Sequence, residues 1–263
     1  MKKIFALTIL FAFFFLISNA QDSAKHFIGI KGGISIPNLT AGGSQNNPIN
    51  TGYSSRVGPD FAIFHECFLS KKFSLSTQLE YSSQGGKKDG LQAISTSELP
   101  GIDQYFIAQQ RPVPTYVYAN FNSEAKINYF MLSELAKVNF RLGASPLSLY
   151  IDAGPFGALL VSAHQVTSGS SDIYADQTKQ EDISQNTEQP ASSFNNKQDI
   201  KDQLHKGNFG VEGDVGLALN IGKSKVFVEG GGNYGFLNIQ KGTDNGKNNI
   251  GAATVRVGYA FGL

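Results

Sequence analysis

Apolar and polar residues alternate along several segments of this chain, as they do in β-strands that have two different faces. The clearest segment is Phe73–Tyr81, whose odd positions carry Phe, Leu, Thr, Leu and Tyr and whose even positions carry Ser, Ser, Gln and Glu. Successive side chains of a strand point to opposite faces, so this segment has one largely apolar face and one polar face.

Seven further segments have a similar pattern. Four are regular: 26–37, 147–161, 209–221 and 255–263. Three carry charged residues within an apolar pattern, and these are 56–69 with Asp60 and Glu66, 127–140 with Glu134 and Lys137, and 225–236 with Glu229. The pattern therefore predicts eight strands, several of which reach the roughly 9–11 residues that a tilted membrane strand needs.

The connections between these segments alternate in length. The long or intermediate ones are 38–55, 85–126, 165–205 and 238–249, and the short ones are 70–72, 143–146 and 222–224. This alternation predicts an all-β fold, a single antiparallel up-and-down transmembrane β-barrel of about eight strands with short periplasmic turns and long outer loops. Asp103–Ile107 and Pro114–Tyr118 could form one more hairpin in the wall, which would make ten strands.

The polar faces of the strands would line the inside of such a barrel. Eight strands leave an interior just wide enough for side chains to fill it, and a buried charge without a partner is costly. We therefore predict a polar network in the barrel interior, made of Lys31, Glu80, Asp152, Glu212, Asp214 and Arg256. We interpret this network as packing, and the alternative is a path for protons or ions.

A water-soluble periplasmic barrel of lipocalin type, with its apolar face inside and a ligand cavity, has the same alternation. Aromatic residues near the strand ends favour the membrane, since membrane barrels carry aromatic girdles at both interfaces. The pairs that indicate girdles are Phe73 and Tyr81, Tyr129 and Phe140, and Tyr259 and Phe261.

The first twenty residues have the three parts of a secretory signal peptide. Lys2 and Lys3 precede an apolar run at 4–17, and Ser18-Asn19-Ala20 follows with small residues where the peptidase cleaves. We expect residues 1–20 to be removed and the domain to span 21–263, although an uncleaved anchor is the alternative. The sequence thus predicts export to the outer membrane of a Gram-negative bacterium.

Composition narrows the possible functions. The formal net charge is +1, so no basic field exists to attract nucleic acid. Cys67 is the only cysteine, and the four histidines have no metal-ligand spacing with each other or with it. A Gly-x-Ser-x-Gly nucleophile motif is absent. We therefore expect no catalytic residues, cofactor or metal, and keep an outer-membrane enzyme and a small-solute channel as alternatives.

The chain resembles the PorT-like outer-membrane β-barrel proteins. The residues that carry the resemblance are Gly29–Gly33, Leu69–Leu75, Leu79–Gly85, Gly154–Phe156 and Gly258–Phe261. Ser133–Lys137 keeps the lysine of the family pattern but lacks its proline, and the chain ends on Leu263 rather than an aromatic residue. The resemblance implies an integral outer-membrane barrel and supplies no catalytic residues.

Any function is then expected in the outer loops. Long loops on a rigid scaffold are where binding residues tend to lie. We expect residues 85–126 and 165–205 to contact a protein or surface ligand, while the wall of the barrel contacts the lipid bilayer.

Overall fold

The computed structural model describes residues 26–39, 48–49, 52–184, 192–242 and 247–263. The signal peptide predicted at residues 1–20 and the mature N-terminus predicted near Gln21 lie outside these ranges. None of the helices in the described ranges is long and apolar enough to cross a membrane.

Most of the described chain is β-structure. The strands are β1 (His26–Pro37), β2 (Gly58–Phe68), β3 (Phe73–Lys88), β4 (Leu91–Ser95), β5 (Tyr116–Asn120), β6 (Asn122–Arg141), β7 (Leu147–Ser168), β8 (Ser170–Ser171), β9 (Ile173–Tyr174), β10 (Ser192–Ser193), β11 (Asn196–Asp199), β12 (Gly207–Ile221), β13 (Ser224–Gly235) and β14 (Gly251–Gly262). The helices are α1 (Ile102–Ala108) and two 3-10 turns, Thr96–Glu98 and Lys201–Gln203.

Eight of these strands close into an antiparallel barrel within the described ranges. The order around the wall is β1, β2, β3, β6, β7, β12, β13 and β14, and β14 pairs with β1 to close it. Each barrel strand is hydrogen-bonded to the barrel strands before and after it in the chain, which confirms the predicted up-and-down topology. The tight turns lie together at one end of the barrel, and the long connections lie at the other, which we call the outer end.

The apolar faces of the strands point away from the barrel axis. In β3, Leu79 is 46% exposed, whereas its neighbours Gln78 and Glu80 are buried. Ile30 and Leu132 are likewise exposed on the outside of β1 and β6. A lipocalin-type barrel requires the opposite arrangement, so that alternative is wrong.

Aromatic rings form an outward row toward the outer end. Phe61 stacks on Tyr81 with 4.9 Å between ring centroids, and Phe130 meets Tyr81 edge-on at 5.8 Å. The prediction that Tyr129 belongs to a girdle is wrong, because its side chain is fully buried inside the barrel. The alternation of β6 places Tyr129 inward and Phe130 outward.

The ten-stranded alternative is also wrong. Asp103–Ile107, which would have been one of the extra strands, lies in the helix α1. Ile102 and Phe106 are both buried there, and their separation of four residues places them on one face of the helix. Tyr116–Tyr118 lies in β5, which pairs with β4 outside the barrel wall. The connections are shorter than predicted because three strands are longer than the regular alternation indicated. β3 continues to Lys88, β6 begins at Asn122, and β7 continues to Ser168.

Side chains fill the barrel in layers. At the tight-turn end, Lys225 pairs with Glu66. Above this pair lie the rings of Phe64, Tyr150 and Phe227, and then a cluster of charged residues. Toward the outer end follows an apolar layer that includes Ile127, Tyr129, Met131, Phe156, Ala158 and Leu160.

Candidate functional site

The centre of the barrel is organised around the guanidinium group of Arg256. This side chain on β14 is 1% exposed. Its Nη1 donates to Glu80 Oε2 at 2.6 Å and lies 3.4 Å from Asp60 Oδ1. Its Nη2 donates to Glu212 Oε1 at 3.0 Å and to Asp214 at 2.8 Å. One cation therefore links carboxylates from β2, β3 and β12.

Lys31 joins a fifth carboxylate to this cluster. Its Nζ donates to Glu229 Oε1 at 2.7 Å and lies 3.9 Å from Asp214 Oδ2. Arg256 Nε is 2.9 Å from the same Glu229 oxygen, although its N–H direction does not meet hydrogen-bond geometry. The other oxygen of Glu229 accepts the Tyr150 hydroxyl at 2.7 Å.

Neutral polar groups donate further hydrogen bonds to two of these carboxylates, Glu212 and Asp60. Gln78 donates to Glu212 Oε1 at 2.9 Å, and Ser133 donates to its Oε2 at 2.7 Å. Ser82 donates to Asp60 at 3.0 Å. Hydrogen bonds of this kind offset part of the cost of removing a charge from water.

The central cluster has more acidic than basic groups. Among the described residues it holds five carboxylates and two cations, which gives a formal charge of −3. The members are Asp60, Glu80, Glu212, Asp214, Glu229, Lys31 and Arg256. The single positive charge of Arg256 is therefore shared among five carboxylates and, together with that of Lys31, does not balance them.

Two further ion pairs lie between the cluster and the tight turns. Lys137 is 3.2 Å from Asp152, and its Nζ lies 4.1 Å from the centroid of the Tyr150 ring. Lys225 hydrogen-bonds Glu66, whose other oxygen accepts Ser74 at 2.6 Å. Both pairs are balanced in charge, unlike the central cluster.

The structure brings together five of the six residues that the sequence assigned to the interior network. Asp152 is also inside the barrel but pairs with Lys137 rather than with Arg256. The residues that alternation did not assign are Asp60, Glu66, Lys137, Lys225 and Glu229. All five lie in the three less regular strand segments, and for every one except Lys225 the signal was a charge within an apolar pattern.

The two long connections that were expected to bind a partner fold against each other at the outer end. We call the part formed by residues 91–120 and 173–183 the outer platform. In it, β5 pairs with β4 on one side and with β9 on the other, so strands from both connections share one sheet. The helix α1 packs on this sheet.

The outer platform has its own apolar core, separate from the barrel interior. It is formed by Ile94, Ile102, Phe106, Val117, Ala119, Ile173 and Ile183. Arg111 and Glu181 form a bidentate ion pair that joins the two connections at the surface. Hydrogen bonding from Arg111 lowers the pKa of the Glu181 carboxyl, so this exposed pair stays ionised at neutral pH.

Two of the histidines meet across β1 and β2. His26 Nδ1 lies 3.1 Å from His65 Nε2, with the two rings nearly parallel at 12°. A ring-centroid distance of 5.2 Å with so short a nitrogen separation means that the rings lie end to end rather than face to face. No group of three or more His, Cys, Asp or Glu residues among the described ranges is placed to hold a metal ion.

The sequence and the fold both match known barrels. A family model described as "Outer membrane protein beta-barrel domain" matches residues 19–241. No curated protein matches the chain in sequence.

Several solved structures are similar in fold. Neisserial surface protein A (NspA) is 10% identical, with a TM-score of 0.42, over 91% of this chain and 99% of that one. Ail, the attachment invasion locus protein of Yersinia pestis, is 12% identical, with a TM-score of 0.37, over 91% and 100%. OprG from Pseudomonas aeruginosa is 9% identical, with a TM-score of 0.35, over 93% and 98%. Similarity at this level bears on neither ligands nor partners.

Proposed function

The chain belongs to the outer membrane protein β-barrel domain family, and from this premise we propose that it is an anchored interaction protein. The barrel holds the outer platform at the cell surface, and the platform contacts a protein or surface ligand. The single observation that carries the proposal is the apolar core that residues 91–120 and 173–183 share, because it makes the two loops one folded unit.

The exposed side of the platform is suited to binding another macromolecule. Ile107 on α1 is 63% exposed, and Val113, just after the helix, is also exposed. Arg111 lies between them in the sequence. An apolar group beside an arginine is a common composition for the centre of a protein interface.

Photocrosslinking on whole cells tests the proposal. A photoreactive phenylalanine derivative at Ile107 is expected to give a discrete crosslinked product. The matched control is Val57, which is exposed to the same extent, 63%, but lies outside the platform. Equal product from both positions, or none from Ile107 under any growth condition, would contradict the proposal.

Phe106→Ala is expected to unfold the platform while the barrel stays intact. Phe106 is 1% exposed in the platform core, and removing a buried phenylalanine ring typically costs about 3–5 kcal/mol. Limited proteolysis of intact cells should cut the variant within residues 91–120, and the crosslink from Ile107 should disappear. Heat-modifiable migration of the barrel should remain, and its loss would mean that the platform is not an independent unit.

A filled interior disfavours the alternative of a small-solute channel. The charged cluster and the apolar layer above it occupy successive levels of the barrel. In a planar bilayer, the protein is expected to give no conductance steps above a protein-free control. Reproducible conductance steps would favour the channel. The enzyme alternative would be favoured if the protein hydrolysed a substrate at the cell surface and lost this activity when clustered carboxylates of the outer loops were substituted.

We also propose two finer assignments from the sequence. The first is that residues 1–20 are a cleaved signal peptide. N-terminal sequencing of the protein purified from outer membranes tests this assignment, and the expected first residue lies near Gln21. Within the family, the chain resembles the PorT-like proteins, and the residues at 69–75 and 154–156 support this assignment.

One acidic side chain lies on the lipid-facing surface. Glu134 on β6 points outward, like Leu132, and its Oε2 accepts a hydrogen bond from Thr77 at 2.7 Å. In sequence, Glu134 falls between the outward rings of Phe130 and Phe140, and Thr77 falls midway between Phe73 and Tyr81. Both therefore lie near the middle of the membrane, where a carboxylate is unfavourable.

Glu134→Leu is expected to stabilise the barrel by about 1 kcal/mol, because it removes this cost while losing one hydrogen bond. The measurement is urea unfolding in phospholipid vesicles, followed by the change in gel mobility. Leu132→Glu is the matched control and should lower the midpoint. A lower midpoint for Glu134→Leu would show that the carboxylate stabilises the barrel.

A further inference from the structure

The outer mouth of the barrel contains a cavity of about 330 Å³. Its walls come from β6, from the 3-10 turn at Lys201–Gln203 and from the segment around Ile239. Ile127, Ile200, Leu204 and Ile239 supply apolar surface. The volume lies at the lower end of the range for small-molecule sites and equals about ten water volumes.

Hydrogen bonds fix the two outer walls of the cavity relative to each other. Lys241 N donates to Gln203 O at 3.0 Å, and His205 N donates to Ile239 O at 2.7 Å. An isolated β-bridge joins Leu204 to Gln240 between these two contacts. The cavity is therefore held open by backbone pairing and does not depend on side-chain packing alone.

The cavity is closed on the side of the barrel axis. Tyr129, Met131 and Phe156 fill the layer beneath it, and the Arg256 cluster fills the layer beneath that. A molecule entering from outside could bind in the cavity, but the packed layers leave it no route onward. The geometry is that of a binding site rather than of a pore entrance.

Gln240 and Lys241 at the cavity keep hydrogen-bonding capacity that the described residues do not use. The buried Gln240 Oε1 accepts no hydrogen bond from any residue that the structure describes. Lys241 Nζ donates to the backbone oxygen of Asp202 at 2.8 Å and forms no ion pair with a described carboxylate. Burial raises the pKa of the Tyr53 phenol, which also lines the cavity, so it stays neutral.

We propose that this cavity binds a small amphipathic molecule from outside the cell. The ligand has an apolar body of a few carbon atoms, which lies against Ile127, Ile200 and Leu204. Its single polar head, an alcohol or an amide, donates a hydrogen bond to the Gln240 side-chain oxygen, which turns toward the cavity when the ligand binds, and accepts one from Lys241. This site is separate from the outer platform, so it is independent of the interaction function proposed above.

A tryptophan reporter tests the proposal, because the natural chain contains no tryptophan. Gln203→Trp places the only indole at the exposed rim of the cavity. The protein is reconstituted in phosphatidylcholine vesicles and titrated with 6-bromohexan-1-ol, whose bromine quenches indole fluorescence. We expect saturable quenching, with half-saturation on the order of 1 mM or below for a ligand of this size.

Two variants separate binding in the cavity from partition into lipid. Phe209→Trp puts the reporter on the outward face of β12, where quenching should rise without saturating. In the Gln203→Trp background, Ala125→Phe fills the cavity and should abolish the saturable part, and Ile200→Phe provides a second filling variant. Heat-modifiable migration verifies that each variant is folded.

The head group is tested by Gln240→Leu, which should weaken the alcohol about fivefold by removing one hydrogen bond. Non-saturating quenching at Gln203→Trp, or saturation that persists in both filled variants, would overturn the proposal. Unchanged affinity in Gln240→Leu would overturn the assigned position of the polar head.

Discussion

Arg256→Met is expected to destabilise the barrel by at least about 3–5 kcal/mol, or to prevent it from folding. Breaking a buried ion pair by removing one partner leaves an uncompensated charge, and here one cation serves several carboxylates. The formal charge of the cluster would change from −3 to −4 with only Lys31 remaining. Urea unfolding in vesicles, read by gel mobility, measures the loss.

Arg256→Lys is the control for this prediction. Lysine keeps the charge but cannot donate from several nitrogens at fixed angles to carboxylates on different strands. We therefore expect an intermediate midpoint. If Arg256→Met unfolds at the same urea concentration as the natural chain, the cluster contributes no net stability.

Lys225→Met is expected to cost about 3 kcal/mol, because among the described residues it leaves the buried Glu66 carboxylate with Ser74 as its hydrogen-bond partner and Lys137 as a more distant positive charge. The double variant Lys225→Met with Glu66→Gln should recover most of this loss, because it also removes the charge that needed a partner. The same unfolding assay gives the coupling between the two side chains. Additive losses would contradict a direct pair.

Glu80→Gln should behave in the opposite way to Glu66→Gln. Glu80 belongs to the cluster with excess negative charge, and its Oε1 has no partner among the described residues. An amide can still accept the hydrogen bond from Arg256 while the formal charge falls to −2. We expect Glu80→Gln to be neutral or stabilising, whereas Glu66→Gln should destabilise a balanced pair.

Alternation and connection length were enough to predict the barrel, since both follow from local sequence. A period of two fixes which residues share a face, and Phe73–Tyr81 displays it with Thr77 as the one polar residue on the apolar face. The short helix α1 was missed because its two buried residues, Ile102 and Phe106, make too brief a pattern to distinguish from a strand. The extensions of β3 and β6 were missed because polar residues dominate there.

The ion pairs were only partly predictable. The sequence indicated that the side chains of Glu80 and Arg256 point into the barrel, because the alternation around both residues is regular. Glu134 and Lys137 were ambiguous, because apolar residues stand on both faces of their segment and the two side chains prove to point oppositely. Partner choice depends on the register and stagger of strands that are distant in sequence, which no local pattern contains.

The position of Arg256 in the chain has a consequence for biogenesis. Its carboxylate partners lie on β2, β3, β12 and β13, while the guanidinium lies on β14, which follows all the other barrel strands in chain order. A nascent or truncated polypeptide that lacks β14 holds acidic groups it cannot bury. We therefore expect the interior to lose its water only when β14 pairs with β1, and a molecule without β14 to insert into the bilayer poorly.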